Sequence, residues 1–259
     1  MTSSPVKSAT SPRLGIQLYT VRELTGDATF RDTLRALADL GFEGVEFAWK
    51  YGGMSPSALA SFLDSLGLVC CGLHVKLDEL LDPAHQVYEY ALATSSPFIT
   101  TSLAGREAEW DTLLPQLDRV GRIAAGKGLE FTYHNHWQEF NAAPGASAYD
   151  RLTGTTDPAR VKLELDIGWA RKAGRDPVAL WRQLGARVRQ VHLRDYDEKS
   201  GQICDVGDGF IDVVRVFAQA RELRTPWLIF EQDRYPVSAL ESCRVCAERC
   251  AQERSCTAT

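Results

Sequence analysis

Two imidazoles and two carboxylates stand at the ends of four apolar segments of this chain. The segments are Leu129–His134 (LEFTYH), Val161–Asp166 (VKLELD), Val188–His192 (VRQVH) and Trp227–Glu231 (WLIFE), closing on His134, Asp166, His192 and Glu231. A set of two nitrogen and at least two oxygen donors suits Mn2+, Fe2+, Co2+ or Zn2+ better than Ca2+, which favours all-oxygen cages. Four protein ligands leave room on an octahedral ion for two oxygens of a bound molecule. The ion then acts as a Lewis acid and acidifies a neighbouring C–H or hydroxyl. That chemistry requires the four side chains at one place, so the elements that carry them must converge.

The sequence supplies such elements. Eight short strand-like runs are legible: 14–19, 44–48, 69–75, 97–102, 129–135, 161–166, 188–193 and 227–231. Each gap carries a segment with room for a helix, and four gaps show a clear apolar stripe at helical spacing. These stripes are Phe30, Leu34, Leu37 and Leu40; Leu59, Phe62, Leu63 and Leu66; Leu113, Leu117, Val120 and Ile123; and Val213, Val216, Phe217 and Ala220. Strand and helix in alternation predict βαβ units and a parallel sheet. Eight such units in 259 residues predict an α/β fold, a single-domain (β/α)8 barrel of the TIM type, which places its chemistry at the carboxyl ends of its strands. No GxGxxG or P-loop follows the first strand, which argues against a nucleotide-binding sheet. The barrel is expected over 14–251, with a disordered Ser/Thr-rich tail at 1–13 and a C-terminal tail at 252–259. The longest irregular segments, 136–146 and 195–210, follow strand ends where active-site loops belong.

Composition narrows the field. Charged residues make up 24% of the chain and the net charge is −5. No basic run advertises a nucleic-acid face, and no apolar run reaches the ~20 residues of a membrane helix. A cytoplasmic protein is expected, without nucleic acid or membrane as partner, with a homo-oligomer left open. Cys243, Cys246 and Cys250 recur at i, i+3 and i+7. A zinc cluster fits that spacing, and so does one helical face of small apolar thiols packed on the barrel.

Alternation along the strands gives each side chain a face. The apolar set must meet the helices, so the other set points inward. For strand three this places Val69, Cys71, Leu73 and Val75 outside and Cys70, Gly72, His74 and Lys76 inside. Gln17, Tyr19, Glu46, His74, Lys76, His134, His136, Asp166, His192 and Glu231 all converge inward near strand ends. Burying so many polar groups costs several kcal/mol unless they are paired or bind something, so a wet functional pocket is expected. Glu231 is expected to be both ligand and base, with His136, Lys76 and Glu46 as further catalytic candidates. Lys76 can also hold a carbonyl or phosphate oxygen, or pair with Glu46. Gln17, Tyr19, His74, Trp169 and Arg194 are candidate substrate contacts. Asp195 is expected to orient His192 or Lys76. Gly207 and Gly209 permit a tight loop or a phosphate cradle.

The stretches YHNHWQEF (133–140), LELDIGWARKAGRDP (163–177), HLRDYD (192–197), VGDGFID (206–212) and IFEQD (229–233) resemble the xylose isomerase-like barrels, the sugar phosphate isomerase/epimerase superfamily. The resemblance runs from about residue 14 to 250. The superfamily includes xylose isomerase, ketose 3-epimerases, inosose dehydratase, 3-dehydroshikimate dehydratase and endonuclease IV. It implies one divalent ion, Mn2+ first and Zn2+, Fe2+, Co2+ or Mg2+ otherwise, on Asp166, His192, Glu231 and a strand-five residue. That last position, a carboxylate in relatives, aligns with His134, with Glu139 as the alternative. Relatives also often carry His where this chain has Trp169. Ketose epimerases shuttle a proton between two carboxylates, of which only Glu231 is kept. The resemblance therefore implies a metal-dependent isomerase- or epimerase-like enzyme acting on a sugar, keto-sugar or polyol by proton abstraction beside a carbonyl. The missing carboxylate leans toward an inosose-type dehydratase or a 3-keto-glycoside β-elimination lyase. A non-catalytic sugar-binding barrel is the remaining reading. Endonuclease IV chemistry needs a histidine-rich three-zinc cluster, and five histidines with a net charge of −5 argue against it.

Overall fold

Eight parallel strands close on themselves. The computed structural model describes residues 11–106, 109–141 and 147–256, the last three by backbone alone. Its barrel strands are β1 (Arg13–Gln17), β2 (Gly44–Ala48), β3 (Val69–His74), β4 (Phe98–Thr101), β5 (Glu130–His134), β6 (Val161–Asp166), β7 (Val188–Leu193) and β10 (Trp227–Phe230), and β10 pairs back onto β1. The eight runs expected from sequence match these strands to within two residues at either end. In the long segment after β7, β8 (Asp195–Tyr196) and β9 (Ile203–Cys204) form a small antiparallel hairpin. Of the other long segment, residues 142–146 lie outside the described residues.

Helices fill the gaps between strands. They are α1 (Phe30–Asp39), α2 (Pro56–Leu66), α3 (Leu77–Leu80), α4 (Val87–Ala93), α5 (Trp110–Gly126), α6 (Ala148–Thr155), α7 (Ile167–Lys172), α8 (Pro177–Leu184), α9 (Val213–Leu223) and α10 (Ala239–Cys256). Their ends follow local chemistry. Ser55 caps α2 through the Ala58 N–H, Pro56 sits in the first turn, and Gly67 closes the helix in the left-handed region. Asp176 and Pro177 do the same at the start of α8. The predicted stripes face the sheet: Phe30, Leu34, Leu37, Leu59, Leu117, Val120, Phe217 and Ala220 have no exposed surface. Each fully buried Leu or Phe contributes about 1.5–3 kcal/mol. Among the described residues, no helix is long and apolar enough to cross a membrane.

Three expectations are corrected. Arg13 begins β1, so the N-terminal tail is shorter than 1–13, and residues 1–10 lie outside the described residues. α10 runs through Cys256, past the expected boundary at 251, while 257–259 lie outside the described residues. Cys243, Cys246 and Cys250 have no exposed surface and belong to the apolar core, so their i, i+3, i+7 spacing is a packing stripe that anchors this helix.

The third correction concerns alternation in β3. The register against β2 runs Val45 to Cys70 and then Glu46 to Gly72, so Cys71 is one residue too many. At such a bulge two residues of one strand oppose one of its neighbour. Cys70 therefore packs outward in the main core, whereas Cys71 turns inward onto Phe98, Trp227 and Ile229, with Val69 against them. These residues plug the lower barrel. Gly72 also faces inward, and a Cβ there would come within 2.9 Å of Gln190 Nε2 and 3.1 Å of Glu46 Cγ. Glycine at this position leaves the space that the Glu46 side chain uses. A second shift, between Leu163 and Glu164 of β6, skips Arg189 and sets Gln190 and His192 on the interior of β7.

Candidate metal centre

His134, Asp166, His192 and Glu231 come together at the carboxyl ends of β5, β6, β7 and β10. One ligand atom from each lies within 4.8 Å of the others. His134, Asp166 and His192 are at most 1% exposed and Glu231 is 7% exposed. Local structure aims them. Asp166 caps α7, accepting the Trp169 N–H at 2.7 Å, and Asn135 brackets the Asp166 backbone from β5 by accepting its N–H and donating to its carbonyl. His192 lies between two acidic groups: Nδ1 is 2.8 Å from Glu231 Oε2, and Nε2 is 2.9 Å from Glu46 Oε2 and 3.1 Å from Glu164 Oε1.

The charges do not balance within the protein. Glu46, Glu164, Asp166 and Glu231 are all buried, and the Arg194 guanidinium reaches only two of them. Burial pushes the Glu164 carboxyl up to about 8, with the neighbouring Glu46 adding to the rise. Burial likewise raises Asp166 to about 6 against the pull of Arg194. Burial alone would raise Glu231 too, but Arg194 and His192 outweigh it and hold that carboxylate well below its ordinary range. Burial disfavours charge on His192, yet Glu164 and Glu46 raise it well above the ordinary imidazole value. A buried surplus of carboxylates beside two imidazoles is an environment that a divalent cation stabilises, and the N2O2 donor set has the chemistry for one. An ion held by His192 must displace its proton.

Above the cluster opens a cavity of about 360 Å3, lined by Gln17, Tyr19, Ala48, Trp49, His74, Val75, Lys76, Ser102, Ala104, His134, His136, Trp169, Glu231 and Asp233. Most of the expected pocket residues are here. Gln17 is anchored by accepting the Tyr19 N–H at 3.1 Å, and its Nε2 has no partner among the described residues. His136 Nδ1 is 3.0 Å from Ser102 Oγ, and its ring stacks on Trp169. Burial lowers His136 to about 3 and lowers His74 as well, so both rings are neutral hydrogen-bonding groups at pH 7. Lys76 is exposed at the rim, just beyond the end of β3.

Other expected roles change. Glu46 does not line the cavity; it sits beneath His192 and pairs with that ring, not with Lys76. Arg194 is 1% exposed and also lies outside the lining. Its three nitrogens face Asp166 at 2.9 Å, Glu231 at 2.7 Å and Asp233 at 2.8 Å, and its plane covers Trp169. It neutralises and spaces the carboxylates. Glu139 lies outside the group of four: its carboxylate accepts from the Tyr133 hydroxyl at 2.8 Å and the His136 N–H at 3.0 Å. Asp195 orients neither His192 nor Lys76. Its carboxylate accepts the N–H groups of Tyr196, Gly207, Gly209, Phe210 and Ile211 at 2.8–3.2 Å. The glycine loop thus cradles a protein carboxylate in place of a phosphate, and a Cβ at Gly209 would run into the Tyr196 carbonyl. Asp195→Ala should cost about 2–3 kcal/mol by orphaning these amides, read by urea unfolding; a loss inside measurement error would show that the loop does not depend on Asp195.

Residues not singled out from sequence complete the site. Glu164 shares the inward face of β6 with Asp166, a signal present in the alternation but attached to no role. Asp233 lies two residues beyond Glu231. Trp49, 48% exposed, adopts φ +60, a left-handed backbone rare for an aromatic residue. Its ring meets Tyr19 edge-on and leans over His74, forming a wall that no strand periodicity could have located.

Residues 34–249 match the family model of the xylose isomerase-like TIM barrel, and the chain belongs to that family. It is 31% identical over 151 residues to an inosose dehydratase of Geobacillus kaustophilus, a match covering 51% of this chain and 48% of that protein. The chain thus spans about half the length of that relative. To the inosose dehydratase of Lacticaseibacillus casei it is 25% identical over 260 residues, covering 84% of this chain and 86% of the relative. Among solved structures, the IolI protein with a bound zinc atom superposes with a TM-score of 0.70 at 14% identity, over 94% of this chain and 98% of that one.

Proposed function

We propose that this chain is a divalent-metal-dependent lyase that removes water from a cyclic keto-polyol, in the reaction class of the inosose dehydratases it resembles. The observation that carries this reading is the gathering of His134, Asp166, His192 and Glu231 within 4.8 Å, with His134 and Glu231 lining the cavity. Mn2+ is the expected ion, and the zinc of the IolI neighbour makes Zn2+ the first comparison. When bound, the ion supplies Lewis acidity to the oxygens of the keto-polyol. Glu231, held ionised by Arg194 and His192, takes the proton from the carbon beside the carbonyl. The electron pair of that C–H bond forms a C=C bond as the β-hydroxyl leaves. Lys76, at the cavity rim, protonates the departing hydroxyl so that it leaves as water. His74 and His136 hold substrate hydroxyls, and Trp49 and Trp169 wall the ring.

Epimerisation of the two-carboxylate type needs a second acid at the strand-five position. His134 occupies it, which favours elimination. The test is Mn2+-loaded protein incubated in D2O with an inosose, a ketohexose and a 3-keto-glycoside. Ultraviolet absorbance from a conjugated enone, with deuterium at the carbon beside the carbonyl in the recovered inosose, is the expected result with that substrate. Epimer without water loss would move the protein to the isomerases, and the absence of both exchange and enone with all three would overturn the reading.

A further inference from the structure

We infer that Glu164 is a positioning residue that fixes both imidazole ligands at once. This rests on the metal reading above and goes beyond it. The argument starts from an unusual burial. Glu164 has no exposed surface, and among the described residues neither of its oxygens has a hydrogen-bond partner, although ring nitrogens of two histidines approach them at 3.1 and 3.3 Å. A carboxylate in such a place is destabilising unless something requires it.

The rings supply the requirement. Glu164 Oε1 is 3.1 Å from His192 Nε2, and Glu164 Oε2 is 3.3 Å from His134 Nδ1. On the opposite side, Glu231 Oε2 is 2.8 Å from His192 Nδ1 and 3.9 Å from His134 Nε2. The two rings, their centroids 4.6 Å apart, therefore lie between Glu231 above and Glu164 below. An imidazole that ligates through one nitrogen carries its hydrogen on the other, and the acceptor of that hydrogen sets the tautomer. With an ion on the upper nitrogens, a carboxylate below both rings would accept the hydrogens left on His192 Nε2 and on His134 Nδ1. The donor atoms are then His192 Nδ1 and His134 Nε2, the nitrogens nearest Glu231. Glu46 Oε2 holds one ring by a hydrogen bond, 2.9 Å from His192 Nε2; on this side of the rings Glu164, among the described residues, is the carboxylate within 3.3 Å of both. Gly72 keeps the space beside Glu46 open, so the acidic floor is built into the strands.

The test is metal affinity, not turnover. Full-length protein and Glu164→Gln are stripped with chelator and titrated with Co2+ and Mn2+ in competition with a chromophoric chelator. A Gln amide can accept from one ring but turns an N–H toward the other. The variant should bind 10- to 100-fold more weakly, with one ion per chain retained and an altered Co2+ absorption spectrum. Its metal-free thermal midpoint should not fall, because an amide is cheaper to bury than a carboxylate. Glu164→Asp, a methylene shorter, provides the measurement if the Gln variant fails to fold, and should also weaken binding.

Equal affinity and an unchanged Co2+ spectrum in the variants, with or without a lower midpoint, would overturn the inference and leave the metal reading intact. Two ions in the wild type falling to one in Glu164→Gln would overturn it differently, making Glu164 a ligand of a second ion with Glu46 and His192. No divalent ion in the wild type would overturn both readings.

Discussion

Replacing His192 with Ala should leave a folded protein that retains no divalent metal. His192 is the residue on which both acidic clusters converge, with Glu231 on one nitrogen and Glu46 and Glu164 on the other. Its removal deletes one donor of four and also opens the wall between two groups of carboxylates, so the remaining ligands lose their spacing as well as their number. Metal content measured by mass spectrometry on protein purified in excess Mn2+ should fall from about one ion per chain to none. Circular dichroism on the same sample establishes that the barrel is still formed. Wild-type metal content in this variant would end the ligand assignment.

Arg194→Met should be the most destabilising substitution at the site. The guanidinium is buried against Asp166, Glu231 and Asp233 at 2.7–2.9 Å. Methionine keeps much of the packing and removes the charge, leaving buried carboxylates without their counter-ion. Breaking a buried pair in this way costs about 3–5 kcal/mol, which for a chain of this size lowers the melting temperature by roughly 6–20 °C. Arg194→Lys should recover only part of the loss, because one ammonium cannot span three carboxylates as a planar fork does. Added Mn2+ should stabilise the Met variant more than the wild type, since the cation takes over the missing neutralisation. A fall in melting temperature of less than about 2 °C would show that the pairs are not holding the site together.

Much of the fold was legible because the signals were periodic and local. Apolar stripes at helical spacing and short runs ending in polar residues repeat around the barrel, and each strand end could be read within its own segment. The four candidate ligands were legible for the same reason, as terminal residues of strands that the parallel fold must bring together. Their use as ligands is the proposal made above. What the sequence withheld depends on contacts between segments. Arg194 reads as a free cation beside the site until Asp166, Glu231 and Asp233 are seen around it. Asp195 stands 12 and 14 residues before Gly207 and Gly209 in one irregular segment, and only the fold shows that the loop closes on that carboxylate. Glu164 and Glu46 lay on the correct faces, but periodicity gives a face and not a depth, so their place beneath the histidines was invisible. Alternation itself failed at Arg189, which the register of β7 against β6 skips, and at Cys71, where two adjacent residues of β3 share the interior.

That surplus residue has a consequence for how the barrel tolerates acids below its mouth. Where Cys71 and Gly72 both look inward, one side fills the dry lower plug and the other contributes no atoms at all. The resulting notch admits a charged side chain from the neighbouring strand into a layer that Val, Ile or Leu would otherwise occupy. The transition from oily base to ionic pocket is therefore set by a count of residues along a single strand, and a Cβ at Gly72 would press on the Gln190 amide at 2.9 Å and on the Glu46 side chain at 3.1 Å.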